Sequence, residues 1–494
     1  MTQPTADREH TGPKLVLGRW RAGLVLVVSV TMLAGVLFGY DQGVISGALS
    51  GIKADFGLGD TLVEVVTSWV TLGALVGALA AGGLADRFGR RRALQLAGLL
   101  FVVGALTQSL TPDTAILVVG RFVVGLGIGV ASVAAPLYAS ELAPPATRGR
   151  LVSSYQLAIT IGIFLAYIID ARLASGDHWR TMLGIAALPG VALLVATLRA
   201  PRSPRWLMKE GDRASARESY VRVRGDGSVD ADLDAVQHAL DTEEHASWRE
   251  MFAPRARKAL WVGLGLALFQ QITGINAVIY YADQIFDLAG FTTPTAQATA
   301  TTICVGGVNV LATFIAVAYV DRVGRRPLLF TGMTGMFVSL TTLGVAFQFM
   351  DVGSASSGGD TGGGGSIELA LVTMGCLIVF ISSFAFSLGP IVWTIINEIY
   401  PDRIRGRSVA LATAVNWGSA FLVSQFFLTM VDDISTAGAF WVFAGTTAIG
   451  MVWIWRRVPE TKGLDLDDVP AIWTADDPVA EAADLQRRVA ARTS

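Results

Sequence analysis

Charged side chains are scarce in this sequence. Asp, Glu, Lys and Arg make up 16% of its 494 residues, and hydrophobic residues make up 52%. A soluble domain carries about 25% charged residues, so too few charges are present here to cover the surface of a soluble body of this length. The shortage of charge excludes an ordinary soluble protein and indicates a membrane protein with several spans.

Cysteine, histidine and net charge are also low. The two cysteines, Cys304 and Cys376, lie in apolar runs, which argues against a disulfide framework or a cysteine-rich metal site. The four histidines show no metal-ligand spacing, so no metal is expected. A net charge of −2 provides no basic field for nucleic acid. The sequence contains no Walker motif and no nucleophile–base constellation, so we expect neither ATP drive, a cofactor nor an enzyme.

Twelve apolar runs are long enough to cross a bilayer, which takes about 20 residues. Because the runs are continuous rather than alternating, they predict helices. The expected fold is an all-α membrane protein with twelve transmembrane helices in two six-helix bundles. The predicted spans lie near 21–43, 63–85, 93–111, 115–138, 151–170, 180–198, 260–285, 298–320, 327–349, 367–398, 407–430 and 437–456.

Arginine placement predicts the topology. The loops after spans 2, 4, 8 and 10 contain twelve arginines, whereas the loops after the odd-numbered spans contain only Lys53 and Arg172. Positive charge marks the cytoplasmic side, so both termini are expected there, in a protein of the cell membrane. The predicted divisions are a cytoplasmic N-terminus (1–20), a first bundle (21–198), a cytoplasmic linker with short helices (199–258), a second bundle (259–456) and a cytoplasmic tail (457–494).

The two predicted bundles carry the same motifs. DRFGRR at 86–91 follows span 2 and DRVGRR at 321–326 follows span 8, while ELAP at 141–144 and EIYP at 398–401 each precede an RGR sequence. Motifs that recur six spans apart indicate a parallel repeat, as in alternating-access transporters. The charges could be topology signals alone, but that rule does not require acidic residues at matched spacing. We therefore predict cytoplasmic gate charges at Asp86, Arg90, Glu141, Arg148, Asp321, Arg325, Glu398 and Arg405.

Two charged residues lie deep within predicted spans. At 1.5 Å per residue, Arg121 is about 9 Å from the outer end of its helix, and Asp41 is about 13 Å from the end of its own if the span 1 helix extends to about Ser50. An unpaired charge in the bilayer is costly and is a functional hypothesis by default. We predict that Asp41 carries a proton and that Arg121 tunes it, since pairing favours proton release and separation favours uptake. A static structural ion pair is the alternative.

Uncharged polar residues are distributed over both predicted bundles. Amides suit the hydroxyl groups of a sugar because each offers two donors and an acceptor, and tryptophans offer flat faces for the sugar ring. A single amide could instead bond a neighbouring helix. The amides within apolar spans are Gln156, Gln270, Gln271, Asn276, Asn309, Asn416 and Gln425, and the tryptophans are Trp393 and Trp417.

Several motifs resemble those of the sugar porter family of the major facilitator superfamily. They are GYD at 39–41 with GVISG at 43–47, GR at 120–121 with glycines at 125, 127 and 129, QQ at 270–271 with GIN at 274–276 and YY at 280–281, GP at 389–390 with Trp393, and PETKG at 459–463. One departure is Arg202, where the family usually has glutamate.

The resemblance implies a site and a mechanism. Proton-coupled members carry Asp at the position of Asp41, and Phe38 beside it is expected to be an apolar contact. Tyr280 and Tyr281 are expected to be outer-gate residues, although a place in the interfacial tyrosine belt is equally consistent with the sequence. Gln425 falls outside the sugar-contacting positions and is expected to be structural. Those positions are Gln156, Gln270, Gln271, Asn276, Asn309, Trp393, Asn416 and Trp417.

The predicted function is proton-coupled symport of a monosaccharide by alternating access. The combination of Trp393 and Gln156 resembles that of aldohexose transporters, so D-glucose or a related aldose is favoured. The expected partners are the sugar, the proton and the lipid bilayer, and the protein is expected to be monomeric and driven by the proton gradient without a cofactor. A facilitative uniporter is the first alternative, and a sugar sensor that does not transport is the second.

Overall fold

The computed structural model describes most of the chain. It covers residues 22–144, 147–174, 178–227, 229–241, 248–356, 367–400, 402–462, 472–473, 475 and 477–493. The predicted N-terminus (1–20) lies outside the described residues, as does most of the glycine-rich stretch 353–366. The side chains of Arg148 and Asp321 are outside them too.

Twelve helical spans confirm the predicted fold class, and the described residues contain no strand. The first six are Ala22–Phe56, Asp60–Phe88, Arg90–Ser109, Thr114–Leu142, Arg148–Leu173, and Trp179–Ile185 continued by Ala187–Arg199. The last six are Pro254–Ile272 continued by Ile275–Tyr280 and Ala282–Leu288; Pro294–Thr301 continued by Thr302–Gly307 and Val308–Val323; Arg325–Ser356; Ile367–Phe386 continued by Leu388–Ile399; Asp402–Asp433; and Thr436–Arg457.

Span 1 is longer than the sequence predicted. Its helix continues to Phe56, whereas the apolar run was expected to end at residue 43. The run is interrupted in sequence by Asp41, Gln42 and Ser46, but the structure buries all three inside the bundle. A helix that is enclosed by other helices does not need an apolar side chain at every position, and hydropathy alone therefore placed its end too early.

The segment between the two bundles contains short helices. Two of them are Arg213–Arg224 and Val229–Asp241, and residues 242–247 lie outside the described part. A third helix, Pro204–Lys209, packs with them around a small apolar cluster that includes Leu207, Tyr220 and Leu233. The linker is thus a folded unit next to the arginine-rich loops after spans 2, 4, 8 and 10, which we call the arginine-rich end.

Glycines allow spans 2 and 4 to pack at very short distance. A Cβ on Gly77 would lie 2.3 Å from the carbonyl oxygen of Leu126, and one on Gly129 would lie 2.2 Å from that of Ala74. Small residues at such positions let helix backbones approach closely in membranes. Gly125 and Gly129 of span 4 therefore lie where spans 2 and 4 touch.

Replacing Gly77 by alanine is expected to destabilise the protein. The added methyl group would overlap the span 4 backbone, and overpacking of this kind costs about 1–3 kcal/mol. The measurement is the apparent melting temperature of purified protein in detergent. Gly83→Ala is the matched control, because a Cβ on Gly83 in the same helix meets open space. Equal melting temperatures for the two variants would contradict this packing.

Spans 7 and 10 are broken beside two of the motifs described above. Gly274 has φ +90°, a conformation that glycine adopts without strain, and it separates the helices that end at Ile272 and begin at Ile275. Span 10 is interrupted at Ser387, just before Gly389 and Pro390. Broken helices near the middle of the membrane are expected around transporter binding sites.

Candidate functional site

Asp41 and Arg121 meet in the interior of the first bundle. Arg121 Nη1 donates to Asp41 Oδ1 at 2.8 Å, and Arg121 Nε donates to the carbonyl oxygen of Val66 at 3.1 Å. Arg121 is 0% exposed and Asp41 is 2% exposed. The sequence placed these residues at compatible depths, and the structure brings them into direct contact.

The ion pair leaves one atom on each side without a hydrogen bond. Asp41 Oδ2 and Arg121 Nη2 are both buried and have no partner in the structure. Burying charge is costly unless the remaining donors and acceptors are satisfied. The free carboxylate oxygen of Asp41 is therefore a position at which a proton would remove an unfavourable charge.

Four of the predicted amides form one hydrogen-bonded chain in the second bundle. Asn276 donates to Gln271 Oε1 at 2.9 Å, and Gln271 donates to Asn416 Oδ1 at 3.2 Å. Asn416 then donates to Gln270 Oε1 at 2.7 Å, and Gln270 donates to the carbonyl oxygen of Leu388 at 2.7 Å. The chain joins spans 7 and 11 to the break in span 10.

Gln42 connects this amide chain to the ion pair. Its side chain donates to Asn276 Oδ1 and to the Tyr280 hydroxyl oxygen, each at 3.4 Å. Gln42 directly follows Asp41, so one turn of span 1 touches both sites. Sequence reasoning missed Gln42, although its position beside Asp41 in a span was a signal.

Two aromatic residues of the predicted site contact each other across the bundles. The rings of Phe38 on span 1 and Trp417 on span 11 are 5.3 Å apart between centroids and tilted by 48°. This contact joins the two bundles through apolar faces, and such faces suit a sugar ring. Trp393 is half-buried, and the backbone carbonyl of this residue accepts from Asn397.

Two predicted amides stand apart from the chain. Gln156 on span 5 is half-buried, and no described hydrogen bond joins it to the other amides. Asn309 on span 8 is buried and accepts from Thr313 at 3.5 Å. It follows a π-helical turn, Thr302–Gly307, and such turns are frequent at functional sites.

Tyr280 and Tyr281 are both buried between helices. Tyr280 accepts from Gln42 across the two bundles, and Tyr281 donates to the carbonyl oxygen of Ser424 at 2.9 Å. Tyr281 also packs against the ring of Phe427 at 5.0 Å. The interfacial-belt alternative does not fit these positions.

The arginine-rich end repeats one arrangement in both bundles. In the first, Arg90 pairs with Glu141 at 2.9 Å, and Ser203 donates to the same carboxylate. In the second, Arg325 pairs with Glu398 at 3.1 Å, and Thr461 donates to that carboxylate at 2.6 Å. The predicted residues thus form pairs that tie helices together within each bundle.

Four gate predictions remain, and the side chains of two of them, Asp86 and Arg405, are described. Asp86 also pairs with Arg90, at 3.1 Å. Arg405 donates to the carbonyl oxygen of Tyr400 at 3.2 Å. The side chains of Arg148 and Asp321 lie outside the described residues.

Arg202 makes the arginine-rich end of the first bundle differ from that of the second. At the equivalent place in the second bundle, Glu460 accepts from the backbone N–H groups of Arg325 and Arg326, at 3.1 and 2.9 Å. A carboxylate there caps the first turn of span 9. Arg202 cannot accept such bonds, and the first turn of span 3 has no side-chain cap.

Comparison with known proteins assigns these features to a family. The profile described as "Sugar (and other) transporter" matches residues 27–473. The chain belongs to this sugar transporter family. The galactose-proton symporter of Escherichia coli K12 is 38% identical over 453 residues, covering 91% of this chain and 94% of that protein. The glucose transporter GlcP of Staphylococcus epidermidis is 36% identical over 449 residues, covering 91% and 97%.

A solved structure shows the same fold. The xylose transporter XylE from E. coli, in a partially occluded inward-open conformation, matches with a TM-score of 0.76 and 28% identity. The match covers 90% of this chain and 99% of XylE. The chain is thus a multi-pass membrane transporter of the major facilitator superfamily and not an enzyme.

The two bundles of this transporter are joined at the end opposite the arginine-rich loops. Thr429 donates to Glu64 through its N–H and its hydroxyl, both at 2.8 Å, and Tyr167 donates to the carbonyl oxygen of Ile279 at 2.9 Å. Ser68 donates to Gln425 Oε1 at 2.6 Å, so the amide that was expected to be structural bonds the opposite bundle. These bonds lie beyond the amide chain and close that end of the transporter.

Proposed function

We propose that this transporter is a proton-coupled symporter of a monosaccharide, with D-glucose or a related aldose as substrate. The observation that carries the proposal is the position of Gln42. It follows the proton-binding candidate Asp41 and bonds Asn276 at the start of the amide chain. A change of charge at Asp41 would therefore affect the sugar site through the turn of span 1 that carries both Asp41 and Gln42.

The site residues have distinct roles in this proposal. Asp41 carries the proton and Arg121 sets its affinity. The amides Gln270, Gln271, Asn276 and Asn416 bind sugar hydroxyl groups. The remaining contacts come from Gln156, Asn309, Trp393, Trp417 and Phe38.

The amide chain consists of hydrogen bonds that a sugar can exchange. Each of its four amides donates to a neighbouring oxygen. Sugar hydroxyls both donate and accept, and they can replace those bonds without loss. Sugar binding would thus exchange bonds among spans 7, 10 and 11 for bonds to the substrate, which couples occupancy to helix position.

The names of the relatives support an aldose as the substrate and a proton as the coupling ion. The similar proteins from E. coli and Bacillus subtilis include galactose-proton and arabinose-proton symporters. A structure of XylE, described as a proton:xylose symporter, holds 6-bromo-6-deoxy-D-glucose, and it matches this chain with a TM-score of 0.74 and 28% identity. The shared chemistry of these substrates is a ring of hydroxyls without charge.

We further propose that the arginine-rich end faces the cytoplasm. Twelve arginines follow spans 2, 4, 8 and 10, and positive charge is retained on that side. The outer end is then the one closed by Glu64, Ser68 and Tyr167. Tyr280 and Tyr281 are the outer-gate residues in this arrangement, while the Arg90–Glu141 and Arg325–Glu398 pairs each hold the helix ends of one bundle in position at the inner gate.

Uptake by purified protein in proteoliposomes tests the proposal. With an inwardly directed proton gradient, radiolabelled D-glucose is expected to accumulate above its external concentration, and xylose, galactose and arabinose should compete to different extents. Accumulation should disappear when a proton ionophore is added. Equilibration that ignores the gradient would instead establish the uniporter, and binding without uptake would establish the sensor.

A further inference from the structure

A buried carboxylate near the outer end has no role in the mechanism above. Asp170 on span 5 is 1% exposed, and neither of its carboxylate oxygens forms a hydrogen bond of normal geometry with the described residues, the nearest donor being the backbone N–H of Gly47. Its carboxyl group packs against Gly47 of span 1 so closely that a Cβ on Gly47 would lie 2.5 Å from Asp170 Cγ. An ionised carboxylate in such a place would cost several kcal/mol or would take up a proton instead.

A second carboxylate approaches it from the opposite bundle. Asp283 on span 7 donates its backbone N–H to Ser46 Oγ at 3.0 Å, and Ser46 directly precedes Gly47. Its Oδ1 accepts from the Thr301 hydroxyl at 2.5 Å. Asp283 and Asp170 therefore contact consecutive residues of span 1, Ser46 and Gly47. The two acids thus lie in one region, where spans 1, 5, 7 and 8 converge.

The surroundings offer no compensating positive charge. Neither acid forms an ion pair within the described part of the structure. The titratable side chains that face them are Tyr40 on span 1 and Tyr167 on span 5, whose hydroxyls donate to the carbonyl oxygens of Met182 and Ile279. Tyr280, on span 7, is the next group beyond Tyr167.

The cations of this region are engaged elsewhere or face outwards. Arg180 pairs with Asp55, and Lys53 pairs with Asp60. Arg172 follows Asp170 by two residues but is exposed.

We propose that Asp170 and Asp283 form a second proton-binding site, which is shared between the two bundles and is occupied when the outer end is closed. Two acids that contact consecutive residues of one helix, without a cation beside them, disfavour a state in which both are ionised, so one proton bound at this site lowers the repulsion. When the bundles separate, the acids part and water reaches them, and the proton is released. The site therefore binds a proton on closure, in addition to the one assigned to Asp41.

The direction of the pH dependence follows from this arrangement. The closed state binds more protons than the open state, so closure is favoured at low pH and lost as the pH rises. For one linked proton, the ratio of closed to open molecules changes by up to about tenfold per pH unit. The proposed orientation places the site at the outer surface, where it would respond to the external proton concentration.

The test measures the distance between the outer ends of the two bundles. Spin labels are attached to Ala54→Cys and Thr292→Cys, two exposed positions on opposite bundles, after Cys304 and Cys376 are replaced by alanine. The background carries Asp41→Asn, so that the other proton site is silent. Distances are recorded by double electron–electron resonance without sugar, between about pH 5.5 and about pH 8.5.

The expected result is a short distance at low pH and a growing long-distance population as the pH rises. Asp170→Asn combined with Asp283→Asn should remain closed throughout, and Asp283→Asn alone should raise the closed fraction at high pH. Asp287→Asn, an exposed acid one turn further along span 7, is the matched control and should follow the parent protein.

Three outcomes would overturn the assignment. They are a distance that does not depend on pH, a double variant with the parent's pH profile, and a profile that changes when sodium replaces potassium. The last would indicate a metal cation rather than a proton. The test measures a distance in protein without sugar, so it does not depend on the uptake assay. If the symport proposal failed, this test of the second proton-binding site would still be valid.

Discussion

Asp41→Asn is expected to abolish accumulation of sugar while leaving sugar exchange intact. Asparagine has the shape of protonated aspartate, so the variant resembles the proton-loaded form and can still bind sugar and change conformation. It can neither take up nor release a proton. Each proton that moves across about 100 mV supplies about 2.3 kcal/mol, which supports roughly 50-fold accumulation. That ratio should fall to about one in the variant.

Two assays in the same proteoliposomes separate these effects. Net uptake under a proton gradient should be lost, whereas exchange of external labelled sugar for internal unlabelled sugar should continue at a rate similar to that of the parent. Asp60→Asn is the matched control, because Asp60 forms only an exposed pair with Lys53, and such pairs contribute little. Uphill uptake by Asp41→Asn would remove Asp41 from the mechanism, and loss of exchange would show that the residue is structural.

Arg121 provides an independent check on the same pair. It is entirely buried and bonds both Asp41 and the carbonyl oxygen of Val66. Removing it leaves an uncompensated carboxylate, so Arg121→Ala should behave like a protein with permanently protonated Asp41. If the Asp41–Arg121 pair had only a structural role, a variant with both residues neutralised would recover proton-coupled uptake. We expect that the double variant does not recover it.

The ion pair could be predicted from sequence because physics leaves few options for a charge in a bilayer. Asp41 and Arg121 were the charges that lay deep within the predicted spans, and helix rise gave them compatible depths. The repeat likewise predicted that Glu141 and Glu398 would lie beside arginines. Their partners Ser203 and Thr461 were not predicted, since a hydroxyl in a short loop carries no distinguishing pattern.

The contacts between bundles were not predictable in the same way. Asp283 follows the two tyrosines near the end of an apolar run, where an acid looks like an ordinary interfacial residue. Asp170 lies at the end of another such run. Only the packing of span 5 against spans 1 and 8 brings them together, across more than a hundred residues of chain. Gln42 was missed for a related reason, because its partners Asn276 and Tyr280 are in the other bundle.

The amides were predicted as a set, but their mutual arrangement was not. The sequence showed that uncharged hydrogen-bonding groups were present in the spans. The family resemblance selected eight sugar-contacting positions, of which six are amides and two are tryptophans. The order of the chain from Asn276 to Gln270 depends on the break at Gly274, which turns Asn276 back towards Gln271. Gln156 and Asn309 lie on helices of different bundles, so their approach to a sugar depends on how the bundles close.

Asn276→Ala is expected to weaken sugar binding by about 10- to 100-fold, the range for loss of one to two buried hydrogen bonds. The side chain donates to Gln271 and accepts from Gln42, so its removal takes a partner from the amide chain and from the residue beside Asp41. The Oε1 atom of Gln271 would be left unpaired, which adds the cost of an unsatisfied buried acceptor. Coupling should be weakened as well, because the path from Asp41 to the sugar passes through this amide.

Equilibrium binding of D-glucose to purified protein, followed by calorimetry, measures the effect without transport. Gln425→Ala is the matched control, because Gln425 is also an amide within a span but is half-buried, bonds Ser68 at the end opposite the arginine-rich loops and lies outside the chain. That variant should retain glucose affinity and instead loosen the contact between spans 2 and 11. If both variants lost affinity equally, glucose binding would depend on general helix packing rather than on the amide chain. If Asn276→Ala retained full affinity, the chain would not be the sugar site.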